Sequence, residues 1–168
     1  MLFDWFDNAP RRILVLVASA CVALLAFGLY LQHAVGLEPC PMCIVQRYAL
    51  VIVAVVAAVT ACFSGRRSLV AGSSVMLLFA GFGAFVAARQ SWLQWNPPES
   101  ASCGRDFYGM IEHFPLQRVI PMIFRGSGDC TKIDWTFLGG SIANWSFLCF
   151  CLIAVIASVV IVRQARAA

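Results

Sequence analysis

Cys40-Pro41-Met42-Cys43 is a CxxC pair, and Arg47 follows Cys43 by one helical turn. Two thiols this close can close on each other or hand a disulfide to a third thiol, through attack of a thiolate on sulfur. Two further cysteines, Cys103 and Cys130, stand in the only long polar segment of the chain. The remaining four, Cys21, Cys62, Cys149 and Cys151, lie inside apolar runs, where a cysteine behaves as a small apolar packing residue. The chemistry within reach is therefore dithiol–disulfide exchange carried by Cys40, Cys43, Cys103 and Cys130.

Two static structural disulfides are the plain alternative, since an even number of cysteines in an oxidising compartment implies pairing. Against it, a CxxC bridge closes too small a loop to constrain much of the unfolded chain, so its usual value is reactivity. Cys43 is expected at or just before the start of a helix, where the unbonded N–H groups favour an anion. Arg47 at i+4 falls on the same helix face as Cys43, and a permanent cation there favours the thiolate further. Arg47 has a second reading, as a basic residue snorkelling to lipid headgroups. Zinc wants closely spaced ligand pairs, and Cys103 and Cys130 stand 27 apart (130 − 103), each alone. A soft-metal carrier would use paired methionines, and the five here show no MxxM spacing.

The elements that must position these thiols are transmembrane helices. Of 168 residues, 61% are hydrophobic and 12% charged, with a mean hydropathy of +0.84. A soluble domain carries about 25% charged residues, so this chain cannot cover a soluble surface. A net charge of +4 gives no reason to propose nucleic acid as a partner. Four apolar stretches reach the roughly 20 residues a spanning helix needs, at about 13–31, 44–63, 68–88 and 145–162. The first continues ten residues past Cys21, too long for the apolar region of a cleaved signal peptide, so it is expected as an uncleaved span.

Arg11 and Arg12 precede the first span, Arg66 and Arg67 join the second to the third, and Arg163 and Arg166 follow the fourth. The connection 32–43 has neither Lys nor Arg. The positive-inside rule then puts both termini in the cytoplasm, and the CxxC and the segment 89–144 outside, where disulfides persist. In that segment, Asn96-Pro97-Pro98-Glu99-Ser100 should leave Cys103 on an accessible tether, and Gly126-Ser127-Gly128-Asp129 is a turn before Cys130. Phe107, Met110, Ile111 and Phe114, then Leu116, Val119, Ile120 and Ile123, repeat at helical spacing and predict short helices on the membrane surface. Trp92, Trp95, Trp135 and Trp145 fit the interfacial aromatic belt, while His33 and His113 are solitary and carry little. The expected fold is an all-α, four-helix transmembrane bundle over residues 1–168, a single domain with one long outer loop.

Taken together, the CPMC pair with Ile44-Val45-Gln46-Arg47, the Ser127-Gly128-Asp129-Cys130 segment, Trp135-Thr136-Phe137-Leu138-Gly139 and the four spans closely resemble the disulfide bond formation protein B (DsbB) family. The resemblance covers nearly the whole chain. It implies a bacterial inner-membrane oxidoreductase that re-oxidises a soluble periplasmic thioredoxin-fold oxidase, DsbA, and delivers the electrons to ubiquinone or menaquinone of the membrane pool. It implies Cys40–Cys43 and Cys103–Cys130 as the redox disulfides. Cys103 would meet the partner, Cys130 would pass electrons towards Cys40, and Cys43 would meet the quinone with Arg47 beside it. Trp135 is a further candidate for the quinone pocket. Some relatives carry a histidine shortly after the third span. Here Arg89-Gln90-Ser91 stands there, and Gln90 becomes the candidate donor. A vitamin K epoxide reductase-like enzyme also has four spans and a CxxC, but its pair is expected late in the chain rather than after the first span.

Overall fold

The computed structural model describes residues 9–37, 39–97, 131, 133 and 135–166. Cys103, Cys130, His113, the surface helices expected over 107–123 and the turn 126–129 lie outside the described residues.

Among the described residues, four helices are long and apolar enough to cross a membrane: α1 (Pro10–Ala34), α2 (Pro41–Cys62), α3 (Arg66–Trp95) and α4 (Ile142–Arg166). The chain is a multi-pass, all-α membrane bundle, with one short hairpin of β1 (Thr136–Phe137) and β2 (Gly140–Ser141) leading into α4. Each boundary has a local cause. Pro10 and Pro41 open α1 and α2, at the position where a missing N–H costs nothing. Gly36 follows α1 at φ +76°, in the left-handed region, and the Leu37 N–H closes back on the Leu31 carbonyl at 3.3 Å. Asn96 ends α3 by donating its N–H to the Trp92 carbonyl at 2.9 Å, and Pro97 then bars continuation.

The third helix differs from what apolar length alone predicts. Its apolar stretch stops at Ala88, yet the helix runs seven residues further (95 − 88), through Trp95. Arg89–Trp95 therefore begins the segment 89–144 as helix, not loop. The reason is that Gln90, Ser91 and Leu93 are buried against neighbouring helices, so this polar turn still packs. His33 is likewise helical, in the last turn of α1.

Within lipid there is no hydrophobic drive between helices, and close van der Waals packing must hold them. Leu14, Val17 and Cys21 of α1, Ala49, Val53 and Ala57 of α2, Met76 and Ala80 of α3, and Phe150, Ile153 and Ala157 of α4 belong to one continuous buried cluster. Small residues set the spacing. A Cβ at Gly72 would overlap the Thr60 side chain, and one at Gly83 would overlap the Phe150 ring. Gly81, two residues from Gly83, meets nothing within 4 Å, so of this pair only Gly83 serves packing. Leu16, Val55, Leu78, Phe85 and Leu152 point outward, as a lipid-facing surface requires. Of the four cysteines in apolar runs, Cys21 is a core residue, whereas Cys62 is exposed at the end of α2 and Cys149 is only partly buried.

Candidate functional site

The start of α2 is built from the CxxC itself. Cys40 is the N-cap, with extended backbone, and Pro41 is the first helical residue. The Cys43 N–H donates to the Cys40 Sγ at 3.3 Å, so the sulfur takes the place of a capping oxygen. Sequence reasoning expected the helix N-terminus to favour an anion at Cys43. In the structure Cys43 stands three residues after the cap, within the first helical turn, and its own N–H goes to the Cys40 sulfur. The two sulfurs lie side by side, 2.8 Å apart. Cys40 is 6% exposed, while Cys43 is half-buried.

Gln90 of α3 covers both sulfurs. Its Nε2 donates to Cys40 Sγ and to Cys43 Sγ, each at 3.3 Å, while its Oε1 lies 3.7 Å from Cys43 Sγ, from which a thiol can donate. Gln46 of α2 donates from Nε2 to the same Oε1 at 2.7 Å. Both amides are at least nine-tenths buried. Gln90 was a candidate by position. Gln46 had no role in the sequence, although it lies at i+3 from Cys43 and a polar side chain inside a span is itself a signal.

Arg47 turns inward. Its Nη2 donates to the Gly28 carbonyl at 3.2 Å and its Nη1 to Gln32 Oε1, so one guanidinium joins α2 to the last turns of α1. The snorkelling conformation is not the one adopted. Gln32 also escaped sequence reasoning; a glutamine at i+4 from a glycine on α1 gives no sign that it faces an arginine of the next helix.

Between the helices lies a cavity of about 580 Å³. Cys40, Cys43, Gln46, Arg47 and Gln90 line its polar side. Leu24, Leu31, Leu50 and Phe150 are among its apolar walls, and Cys149 of α4 reaches it too. Trp135 stands at this cavity, edge-on to Phe27 of α1 and stacked on Phe137, each with ring centroids 6.0 Å apart. The hairpin holds this aromatic group in place. Leu138 and Gly139 turn it with positive φ, +50° and +79°, as a two-residue hairpin turn demands. Trp145 Nε1 donates to the Phe137 carbonyl at 2.9 Å. Ser141 receives the Asn144 N–H at the start of α4 and donates to Gln94 Oε1 of α3 at 2.6 Å. Trp135 and Trp145 thus line the cavity, while Trp92 and Trp95 are exposed as interfacial residues would be.

Two adjacent sulfurs thus open into a mostly apolar chamber with amide and guanidinium donors around them. Comparison with known proteins narrows the class. The family model for disulfide bond formation protein DsbB matches residues 10–160. Disulfide bond formation protein B of Polaromonas sp. (strain JS666 / ATCC BAA-500) is 73% identical over 166 residues, 99% of each chain. The protein of the same name from Polaromonas naphthalenivorans (strain CJ2) is 75% identical over 159 residues, 95% of each chain. That of Paracidovorax citrulli (strain AAC00-1) is 64% identical over 168 residues, 100% of this chain and 96% of the relative. A match of this extent leaves one conclusion: the chain belongs to the disulfide bond formation protein B (DsbB) family, and it is a disulfide-forming oxidoreductase of the membrane.

Proposed function

We propose that this protein re-oxidises the reduced CxxC of a periplasmic thioredoxin-fold oxidase, DsbA, and passes the electrons to a membrane quinone, ubiquinone or menaquinone. It would do so in the bacterial inner membrane, with both termini cytoplasmic and Cys40–Cys43 at the periplasmic end. The observation that carries this reading is the shared cavity: both CxxC sulfurs, Arg47 and Gln90 open into one apolar chamber between spanning helices. Orientation rests on charge. The start of α1 and the end of α2 meet where Arg11 Nε donates to the Ala61 carbonyl at 2.7 Å. Arg66, Arg67, Arg163 and Arg166 belong to the same end of an up-and-down bundle, opposite the CxxC.

The residues present fit a quinone. The chamber has room for a substituted ring, apolar walls for an isoprenoid chain, an aromatic face at Trp135, and donors at Arg47 and Gln90 for ring oxygens. Bound there, a quinone supplies an acceptor for two electrons and two protons. The protein's own part is thiol–disulfide exchange. A thiolate of the partner attacks Cys103 of a Cys103–Cys130 disulfide, forming a mixed disulfide and releasing the Cys130 thiolate. The partner's second thiolate then displaces Cys103 and leaves with a disulfide. Cys130 attacks Cys40, breaking the Cys40–Cys43 bond and leaving Cys43 as a thiolate. Attack of Cys103 on Cys130 restores the outer disulfide and returns Cys40 as a thiol. The net change is two electrons moved from the partner's dithiol to the Cys40–Cys43 pair.

The test is turnover by the full chain in detergent, with a reduced thioredoxin-fold oxidase and short-chain ubiquinone or menaquinone, followed by loss of quinone absorbance. Turnover that vanishes in Cys43→Ser and in Cys103→Ser supports the relay. No turnover with either quinone, with all four cysteines intact, overturns it.

A further inference from the structure

The sulfur pair rests on a carboxamide whose two ends differ chemically, so the way that amide faces decides what the sulfurs feel. A glutamine side chain can turn over, exchanging its NH2 group for its oxygen at little steric cost. Gln90 has a reason not to. Its Oε1 receives the Gln46 Nε2–H at 2.7 Å, leaving its own NH2 group to face Cys40 and Cys43, each at 3.3 Å. Gln46 and Gln90 are 6% and 4% exposed, so little water competes for either amide.

We propose that Gln46 is a positioning residue of the redox pair: by holding the Gln90 oxygen, it keeps the Gln90 amino group on the two sulfurs and so makes the Cys40–Cys43 disulfide easier to reduce. This rests on the reading of Cys40–Cys43 as a redox couple. Two electrons and one proton convert that disulfide to one thiolate and one thiol, with the S–S bond broken. Disulfide sulfurs accept hydrogen bonds weakly and a thiolate accepts them strongly, because the bond is then charge-assisted. Two N–H groups aimed at the pair therefore favour the reduced side. The remaining thiol is also accommodated, since Cys43 Sγ stands 3.7 Å from Gln90 Oε1. With the amide reversed, its oxygen would face a thiolate and the preference would invert. Gln46 does this without touching either sulfur by any hydrogen bond of its own in the described geometry.

The experiment measures the couple directly, not turnover. The full-length protein in detergent is equilibrated in graded glutathione buffers, and the peptide bearing Cys40 and Cys43 is scored by differential alkylation and mass spectrometry. Gln46→Met is expected to lower the equilibrium constant for reduction about tenfold, about 30 mV for two electrons. Gln90→Met should lower it at least as far. Since Gln46 acts through Gln90, the double variant should be no lower than Gln90→Met alone. Folding is read in the same samples by thermal loss of helical signal, and Gln46→Leu carries the test if Gln46→Met does not fold. A potential unmoved by Gln46→Met or Gln46→Leu overturns the proposal, and so do shifts that simply add in the double variant. A wild-type pair that never cycles overturns the redox reading as well, which separates the two failures.

Discussion

The two ends of this bundle differ in how their neutral polar side chains are bonded, although an Arg11–Ala61 link also crosses from α1 to α2 at one of them. At the end bearing Arg11 and the 63–65 connection, three hydroxyls bond within their own helix, Thr60 to the Val56 carbonyl at 2.6 Å, Ser74 to Val70 and Ser158 to Ala154, both at 2.8 Å, while the buried Ser73 hydroxyl has no hydrogen-bond partner among the described residues. There the helices touch through Gly72, Ala57, Ala61 and Ala157, close enough that a methyl group matters. At the CxxC end the polar side chains reach across: Gln46 to Gln90, Arg47 to Gln32 and Gly28, Ser141 to Gln94. The helices there enclose a chamber rather than each other. One end fixes the spacing of the bundle by packing, which leaves the other end able to hold a cavity open and still keep its walls in register.

The largest effect that could break this contrast is at the sulfurs. Cys43→Ser should reduce quinone-linked turnover to background while leaving thermal stability in detergent near that of the parent, because the small, half-buried side chain is nearly isosteric. A large fall in stability would show that the pair serves packing. Next, Gly72→Leu should destabilise the bundle by about 1–3 kcal/mol or more, through overpacking against Thr60, as read by thermal denaturation. Gly81→Ala is the control, expected to stay within about 0.5 kcal/mol because nothing lies near it. Arg47→Met should raise the apparent KM for quinone by about tenfold, the order of one lost charge-assisted bond, with kcat less affected. An unchanged KM would remove Arg47 from the quinone site and leave it as a tie between α1 and α2. The smallest effect is expected at Ser141→Ala, which removes a helix cap from α4 and its link to Gln94. A loss of about 1 kcal/mol is expected, checked by denaturation in the same detergent.

Much of this was legible from residues alone. Twenty apolar residues in a row must span or aggregate, so four helices follow from composition, and the arginine pairs at alternate connections predict which end faces the cytoplasm. The CxxC stood out because two thiols at that spacing after a span have few other uses. The length of α3 was not legible: Gln90, Ser91 and Gln94 look like loop until packing buries the first two and Ser141 of β2 bonds the third. The capping role of Cys40 was likewise hidden, since either cysteine could begin the helix until Pro41 is seen to occupy its first position.

Residue order alone carries the membrane-spanning character, the four apolar stretches and the closely spaced CxxC thiols, because each depends on local composition or short spacing. Which neutral side chains meet the sulfurs depends instead on how the helices pack. Gln46 and Gln90 are 44 residues apart and come together through the rotation and register of α2 against α3, set by contacts such as Gly72 on Thr60 in another part of the bundle. No periodicity encodes that rotation. It is the sum of many small packing contacts, and it determines which atom of an amide faces a thiol.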